Sequence, residues 1–341
     1  MEFLLWLACS FLVFWIHYSV LYKASQDLCF NIEMQSASTK NMTRLLLILF
    51  LILNINVVSS NEIDETELKK IKIYQAENFS TRVRFIVIHY TSIDWENSLK
   101  VLTKERYGVS SHYLIPEYGD NTYTDEIKIF QLVEEEDRAW HAGVSKWEER
   151  TNINDQSIGI ELVNEAECSI RQGSQYDYTN NYICLFSEFD NNQIDKLIEL
   201  LKDILSRHDE IKPTYVIGHS DISPDRKFDP GPKFPWKRLY ENGIGAWYDE
   251  ETFLEYKKKF RKKMPSISQI QCGLKKYGYD LELTNEMDEQ TFYVIRAFQY
   301  HFTPKYSDGN ISIETVSALW ALLEKYFPEA LNNDRCDTLQ K

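Results

Sequence analysis

Thr81-Arg82-Val83-Arg84-Phe85-Ile86-Val87-Ile88-His89-Tyr90-Thr91 is the stretch on which the fold turns. From Arg84 to Tyr90 the run alternates, is rich in β-branched side chains and is too short for a helix, so it is predicted to be a strand. A buried strand holds its last residues on rigid backbone, and here His89 occupies such an end. Working outward, Ser110 to Ile115, Lys128 to Val133, Ser157 to Val163 and Thr214 to Ile217 read as further strands. Asp190 is a suitable N-cap for a helix whose apolar positions Ile194, Leu197, Ile198, Leu201, Ile204 and Leu205 share one face. Residues 81–247 are therefore predicted to be α/β, a mixed central sheet flanked by helices.

The chain as a whole sets limits on partners. Its 341 residues are 43% hydrophobic and 26% charged, which excludes disorder throughout. A formal charge of -14 with no long basic run argues against a nucleic-acid partner. Residues 1–60 are expected to be an export region. Within it, the apolar segment 3–22 is long enough to span a bilayer as a helix and so to act as a membrane tether, and residues 42–60 resemble a secretory signal ending in Val58-Ser59-Ser60. Translation from Met1 and from Met42 both fit. Either way the rest of the chain is expected outside the cytoplasmic membrane, in the periplasm or cell envelope, anchored or secreted. Cys168 with Cys184 and Cys272 with Cys336 could pair in such a compartment, four free thiols being the alternative.

Lys257 to Lys263 carries six basic residues around Phe260 and ends at Met264-Pro265, where composition changes. A basic linker helix is placed at 248–265, its charges read as a solvated face. Beyond it, Ile267 to Lys276, Glu289 to Phe302 and Ile313 to Phe327 have helical period, which makes residues 266–331 a small three-helix domain.

His219 follows Val216-Ile217-Gly218 as His89 follows its own strand, and Asp229 returns ten residues later in a proline-stiffened loop. Two imidazoles and a carboxylate suit Zn²⁺ with an open fourth position. Spacing alone leaves open the plainer reading, in which the histidines bond only backbone. His112 is expected to be buried structure, and His208 and His301, on helices, to face solvent.

Four motifs then occur in order: Thr81 to Thr91, Arg138-Ala139-Trp140-His141-Ala142-Gly143-Val144-Ser145, Asn154-Asp155-Gln156-Ser157-Ile158-Gly159-Ile160-Glu161-Leu162, and Gly218 to Pro232. Together they resemble the zinc-dependent N-acetylmuramoyl-L-alanine amidases of the AmpD/AmiD kind, relatives of the peptidoglycan recognition proteins. The last segment, with Ala297-Phe298-Gln299 and Asp308-Gly309, is similar to a peptidoglycan-binding domain. The resemblance implies a catalytic domain at 75–247 and one zinc ion per chain on His89, His219 and Asp229. It implies Glu161 and Lys227 as the catalytic pair, with Trp140, His141 and Asn154 lining the substrate groove. It further implies peptidoglycan and muropeptides as partners, and cleavage of the amide between N-acetylmuramic acid and L-alanine by a water activated at zinc. The helical domain would then act by raising local concentration on the polymer. A non-catalytic peptidoglycan recognition protein is the competing class, and the filled ligand and catalytic positions favour the enzyme. Residues 164–189, with Tyr176, Tyr178 and Tyr182, are expected to narrow or cover the groove.

Overall fold

The computed structural model describes residues 76–332 apart from 79 and 171–181. The export segments at 3–22 and 42–60, and Cys9, Cys29, Tyr176, Tyr178 and Cys336, lie outside the described residues. Among the described residues no helix is long and apolar enough to cross a membrane.

The sheet has five strands in the order β3-β2-β6-β1-β9: β1 (Phe85–Tyr90), β2 (Tyr113–Ile115), β3 (Phe130–Gln131), β6 (Ser157–Leu162) and β9 (Val216–Gly218). β1 sits inside the sheet, parallel to β6 on one side and to β9 on the other. β2 is parallel to β6, and only the edge strand β3 runs antiparallel. Central strands covered on both faces must be apolar throughout, which is why Phe85 to Ile88 are all fully buried. Two small hairpins lie outside the sheet, β4 (Lys146–Trp147) with β5 (Arg150–Thr151), and β7 (Glu167–Ile170) with β8 (Tyr182–Leu185). In the second, Cys168 stands directly opposite Cys184. Cys184 and Cys272 are both disulfide-bonded.

α1 (Trp95–Thr103) follows β1, and α2 (Asn191–Arg207) begins as predicted, with the Asp190 carboxylate accepting from the N–H groups of Asn192 and Gln193. Such a cap is worth about 1 kcal/mol. Gln193 ties α2 to the sheet by donating to the carbonyls of Ile115 and Val163 at 3.1 and 2.8 Å. β9 is shorter at its start than predicted because Pro213–Tyr215 forms a 3₁₀ turn.

Short helices α3 (His219–Ile222) and α4 (Trp236–Glu241) lead to α5 (Glu250–Phe260), then α6 (Ile267–Tyr277), α7 (Glu289–Phe302), α8 (Ile313–Tyr326) and α9 (Pro328–Asn332). Ser266, Asp288 and Ser312 cap α6, α7 and α8 through their side-chain oxygens. These helices do not stand apart from the sheet. One continuous apolar core runs from Phe85 and Ile160 through Trp147 and Trp236 to Tyr277, Phe298 and Leu322. Trp147 is fully buried beside Tyr279, with ring centroids 4.9 Å apart. Gly278 is needed at that seam: its φ is +141°, and a Cβ there would lie 2.5 Å from the Trp147 ring.

Candidate active site

Strand register brings the site together. In the β1/β6 pair His89 lies opposite Glu161, and in the β1/β9 pair Ile88 lies opposite Gly218, so His219 emerges next to His89. Three side chains distant in sequence thus stand in a row at the carboxyl ends of adjacent parallel strands, the usual ligand position in such sheets. Asp229 returns to this row because the Ser220 N–H donates to the Asp229 carbonyl at 2.8 Å, closing the loop.

His89 Nδ1 lies 3.0 Å from His219 Nδ1 and 2.9 Å from Asp229 Oδ2, and His219 Nδ1 lies 3.1 Å from the same oxygen. Ligand atoms about 2.0–2.1 Å from a tetrahedral metal are about 3.3 Å from one another, so the triangle has the right size for Zn²⁺. All three residues are buried. Burial, and then the neighbouring His219, push the His89 imidazole down to about 4, which leaves it neutral and able to bind metal. Burial alone would raise the Asp229 carboxyl, but the two imidazoles outweigh it and hold the group well below the usual carboxylate range. Two imidazoles and one carboxylate form a donor set that fits a divalent ion.

The tautomers are set from behind. His219 Nε2 lies 3.2 Å from the Ala142 carbonyl and must donate to it, leaving Nδ1 bare toward the metal position. His89 Nε2 lies 3.0 Å from His141 Nδ1, and His141 Nε2 lies 3.1 Å from Ser157 Oγ, which donates to the Ile153 carbonyl at 2.7 Å. The chain of donors ends on an acceptor that cannot donate back, so each ring has one assignment: His89 carries its proton on Nε2 and His141 on Nε2. Gly159 makes room for this relay, since a Cβ there would lie 2.4 Å from the His141 ring.

The structure therefore changes two of the expected roles. His141 reaches the cleft floor, but both of its nitrogens are engaged inside the protein, leaving none for substrate. Asn154 is buried and does not line the cleft. Its Oδ1 accepts from the N–H groups of His141 and Ala142 at 3.0 and 2.8 Å, fixing the turn that offers the Ala142 carbonyl to His219. Ser157 and Gly159 were missed, although small residues inside a buried strand are a signal of close packing. His112 is buried structure as expected, accepting from the Gly159 N–H at 2.9 Å. His208 and His301 depart from expectation: the first lies 2.7 Å from Glu135, and the second is buried against Asp221.

Glu161 faces the cleft with Oε2 shut off from solvent and without a hydrogen-bond partner. Burial pushes its carboxyl up to about 8, the charge of Asp229 adding to the rise and that of Lys227 opposing it. Lys227 and the half-exposed Trp140 line the same cleft, a cavity of about 910 Å³, with the Arg138 guanidinium 4.0 Å from the Trp140 ring. Leu185, Phe186 and Ser187 form one wall of it, so the region after the β7/β8 hairpin does border the groove.

A buried His-His-Asp triangle that could hold a metal ion, beside an unpaired carboxyl at the strand ends of an α/β sheet, is an arrangement suited to hydrolysis. Residues 79–232 match the family model described as N-acetylmuramoyl-L-alanine amidase, and residues 263–319 match one described as putative peptidoglycan binding domain. The chain is 42% identical over 253 residues to the N-acetylmuramoyl-L-alanine amidase AmiD of Escherichia coli K12, covering 74% of this chain and 86% of that protein. The solved structure of AmpDh3 from Pseudomonas aeruginosa in complex with anhydromuramic pentapeptide superposes with a TM-score of 0.68 at 43% identity, over 75% of this chain and 98% of the other. E. coli AmiD in complex with anhydro-N-acetylmuramic acid-L-Ala-D-gamma-Glu-L-Lys gives 0.62 at 40% identity, over 74% and 93%. The chain belongs to the N-acetylmuramoyl-L-alanine amidases and is a peptidoglycan hydrolase.

Proposed function

We propose that this amidase is zinc-dependent, that His89, His219 and Asp229 hold the ion, and that it acts on muropeptides, including anhydromuramyl peptides of the kind bound by its relatives. The observation that carries this reading is the level placement of Glu161, His89 and His219 across three adjacent strands, with Asp229 closing the triangle. When bound, the ion would supply Lewis acidity toward the amide carbonyl and a lower pKa for water.

The chain's own groups do the rest. Glu161, unpaired and facing the cleft, takes the proton of the attacking water and passes it to the L-alanine nitrogen as the C–N bond breaks. Its raised pKa suits both halves of that transfer. The Lys227 ammonium, which lines the same cleft, offsets negative charge growing on the carbonyl oxygen. The products are a lactyl carboxylate on the sugar and a free amino group on the stem peptide. Trp140 offers an exposed aromatic face to sugar or peptide.

The cell envelope is the matching address, since peptidoglycan is the substrate, and the apolar segments at 3–22 and 42–60 would deliver the chain there. The test is mass analysis of products from an anhydromuramyl peptide. Wild-type protein should release the stem peptide, lose activity to a chelator and regain it with zinc, while Glu161→Gln should keep zinc and lose turnover. Undiminished turnover in metal-free protein would overturn the metal assignment, and undiminished turnover in the variant would overturn the assignment of the base.

A further inference from the structure

Helix α7 meets the catalytic half of the chain at the loop that carries His219, Lys227 and Asp229. Asp221, in the first turn after His219, is almost wholly buried, and its carboxylate is held by three donors. One is the Gly218 N–H at 2.8 Å. The others come from the C-terminal part of the chain: the Tyr279 hydroxyl, just past the end of α6, donates to Oδ1 at 2.6 Å, and His301 Nδ1 on α7 donates to Oδ2 at 2.8 Å. The His301 ring is itself clamped between Trp236 at 3.8 Å and Phe302 at 3.9 Å.

Farther along the same loop, Arg296 Nη2 donates to the Pro224 carbonyl at 2.9 Å, and its guanidinium lies 4.5 Å from the Phe228 ring. Phe228 is the residue between Lys227 and Asp229. Tyr300 completes the set, its ring 5.6 Å from Phe186, which lines the cleft and packs on Gly231. Arg296 and Tyr300, four residues apart, share a face of α7, and His301 projects from the adjoining face.

We propose that Tyr279, Arg296 and His301 are positioning residues for the metal site, so that the C-terminal helices set the geometry of the 219–229 loop as well as any affinity for polymer. A module that only tethers the enzyme needs no buried contact with the ligand loop, whereas here it supplies two of the three donors on Asp221. The inference rests on the metal assignment given above, and its test separates the two.

The experiment uses the full chain with Tyr279→Phe and Arg296→Gln. The control is Leu319→Ala, a core truncation on α8 whose side chain packs against Gly273. Hydrogen exchange of the metal-free proteins, read on peptides covering 219–229, should be about tenfold faster in the first two, as expected for loss of one buried hydrogen bond to a charged or backbone group. Zinc affinity should fall about tenfold, within the range for groups that orient metal ligands. On a soluble muropeptide kcat should drop while KM stays near wild type. The control, even at a matched loss of melting temperature, should move neither loop exchange nor zinc affinity. Wild-type loop exchange in both variants, or the same changes in the control, would overturn the proposal. Failure of the wild-type chain to bind zinc would instead refute the metal assignment, and the exchange data would still decide whether α7 orders the loop.

Discussion

Glu161 should make the metal-free protein less stable than it would be without the charge, and the cost should depend on pH with a defined sign. Its carboxyl titrates at about 8 in the fold against 4.5 in the open chain. Between those values the folded state binds more protons than the unfolded one, so stability falls as pH rises through the window and levels off above it. At pH 7 two and a half of the three and a half pH steps are expressed, a cost of about 3 kcal/mol. Glu161→Gln keeps the shape and removes the charge. Urea unfolding of the two metal-free proteins should give similar stabilities near pH 4.5, then a gap that opens with pH and reaches about 3 kcal/mol in favour of the variant at pH 7. For a unit of this size that corresponds to about 5–10 °C in melting temperature. A pH-independent gap, or a variant less stable than wild type at pH 8, would show that the carboxyl is not held in an uncompensated site.

Three further outcomes follow from other parts of the structure. Glu135 is buried among Arg207, Tyr113 and His208; burial alone would raise its pKa, but these partners pull it down to about 2. Its contribution is therefore present above pH 4.5 and fades as pH falls toward 2, and Glu135→Gln should cost about 2–3 kcal/mol at pH 7, with little difference from wild type in acid unfolding near pH 2. Gly159→Ala drives a methyl into the His141 ring, and titration against a competing chelator should find zinc affinity weakened tenfold or more. Asn154→Ala frees the N–H groups of His141 and Ala142 and should lower zinc affinity in the same assay while leaving KM for a muropeptide unchanged, because the side chain faces away from the cleft.

Much of the site was legible because strand ends are local features. His89 and His219 each follow a short apolar run, and Glu161 closes Ser157 to Ile160 in the same way. What no single stretch could state was the register that sets the three level, since strand pairing is a tertiary choice. His141 and Asn154 are placed in the groove by the family resemblance. Their internal partners, His89 and the 141–142 turn, become visible only once the chain is folded.

His301 is a different case, because a signal was present. Every residue of α7 from Thr291 to Phe302 is buried, and the sequence around the histidine, Phe298-Gln299-Tyr300-His301-Phe302, has aromatic residues on more than one side. A helix apolar all round belongs in an interior, so a solvent-facing histidine there was the less consistent reading. The boundary placed near residue 265 lies beside the start of the match to the peptidoglycan-binding model. Basic composition marks a change in the chain, yet the apolar core continues across it through Phe260, Tyr277 and Trp147.

X-ray absorption at the zinc edge, on full-length protein loaded with one equivalent of zinc, tests the metal assignment most directly. The zinc ion should be bound by two imidazole nitrogens and a carboxylate oxygen from the protein, with one imidazole lost in His89→Ala and in His219→Ala. A ligand set containing sulfur, or one unchanged by either substitution, would contradict the assignment.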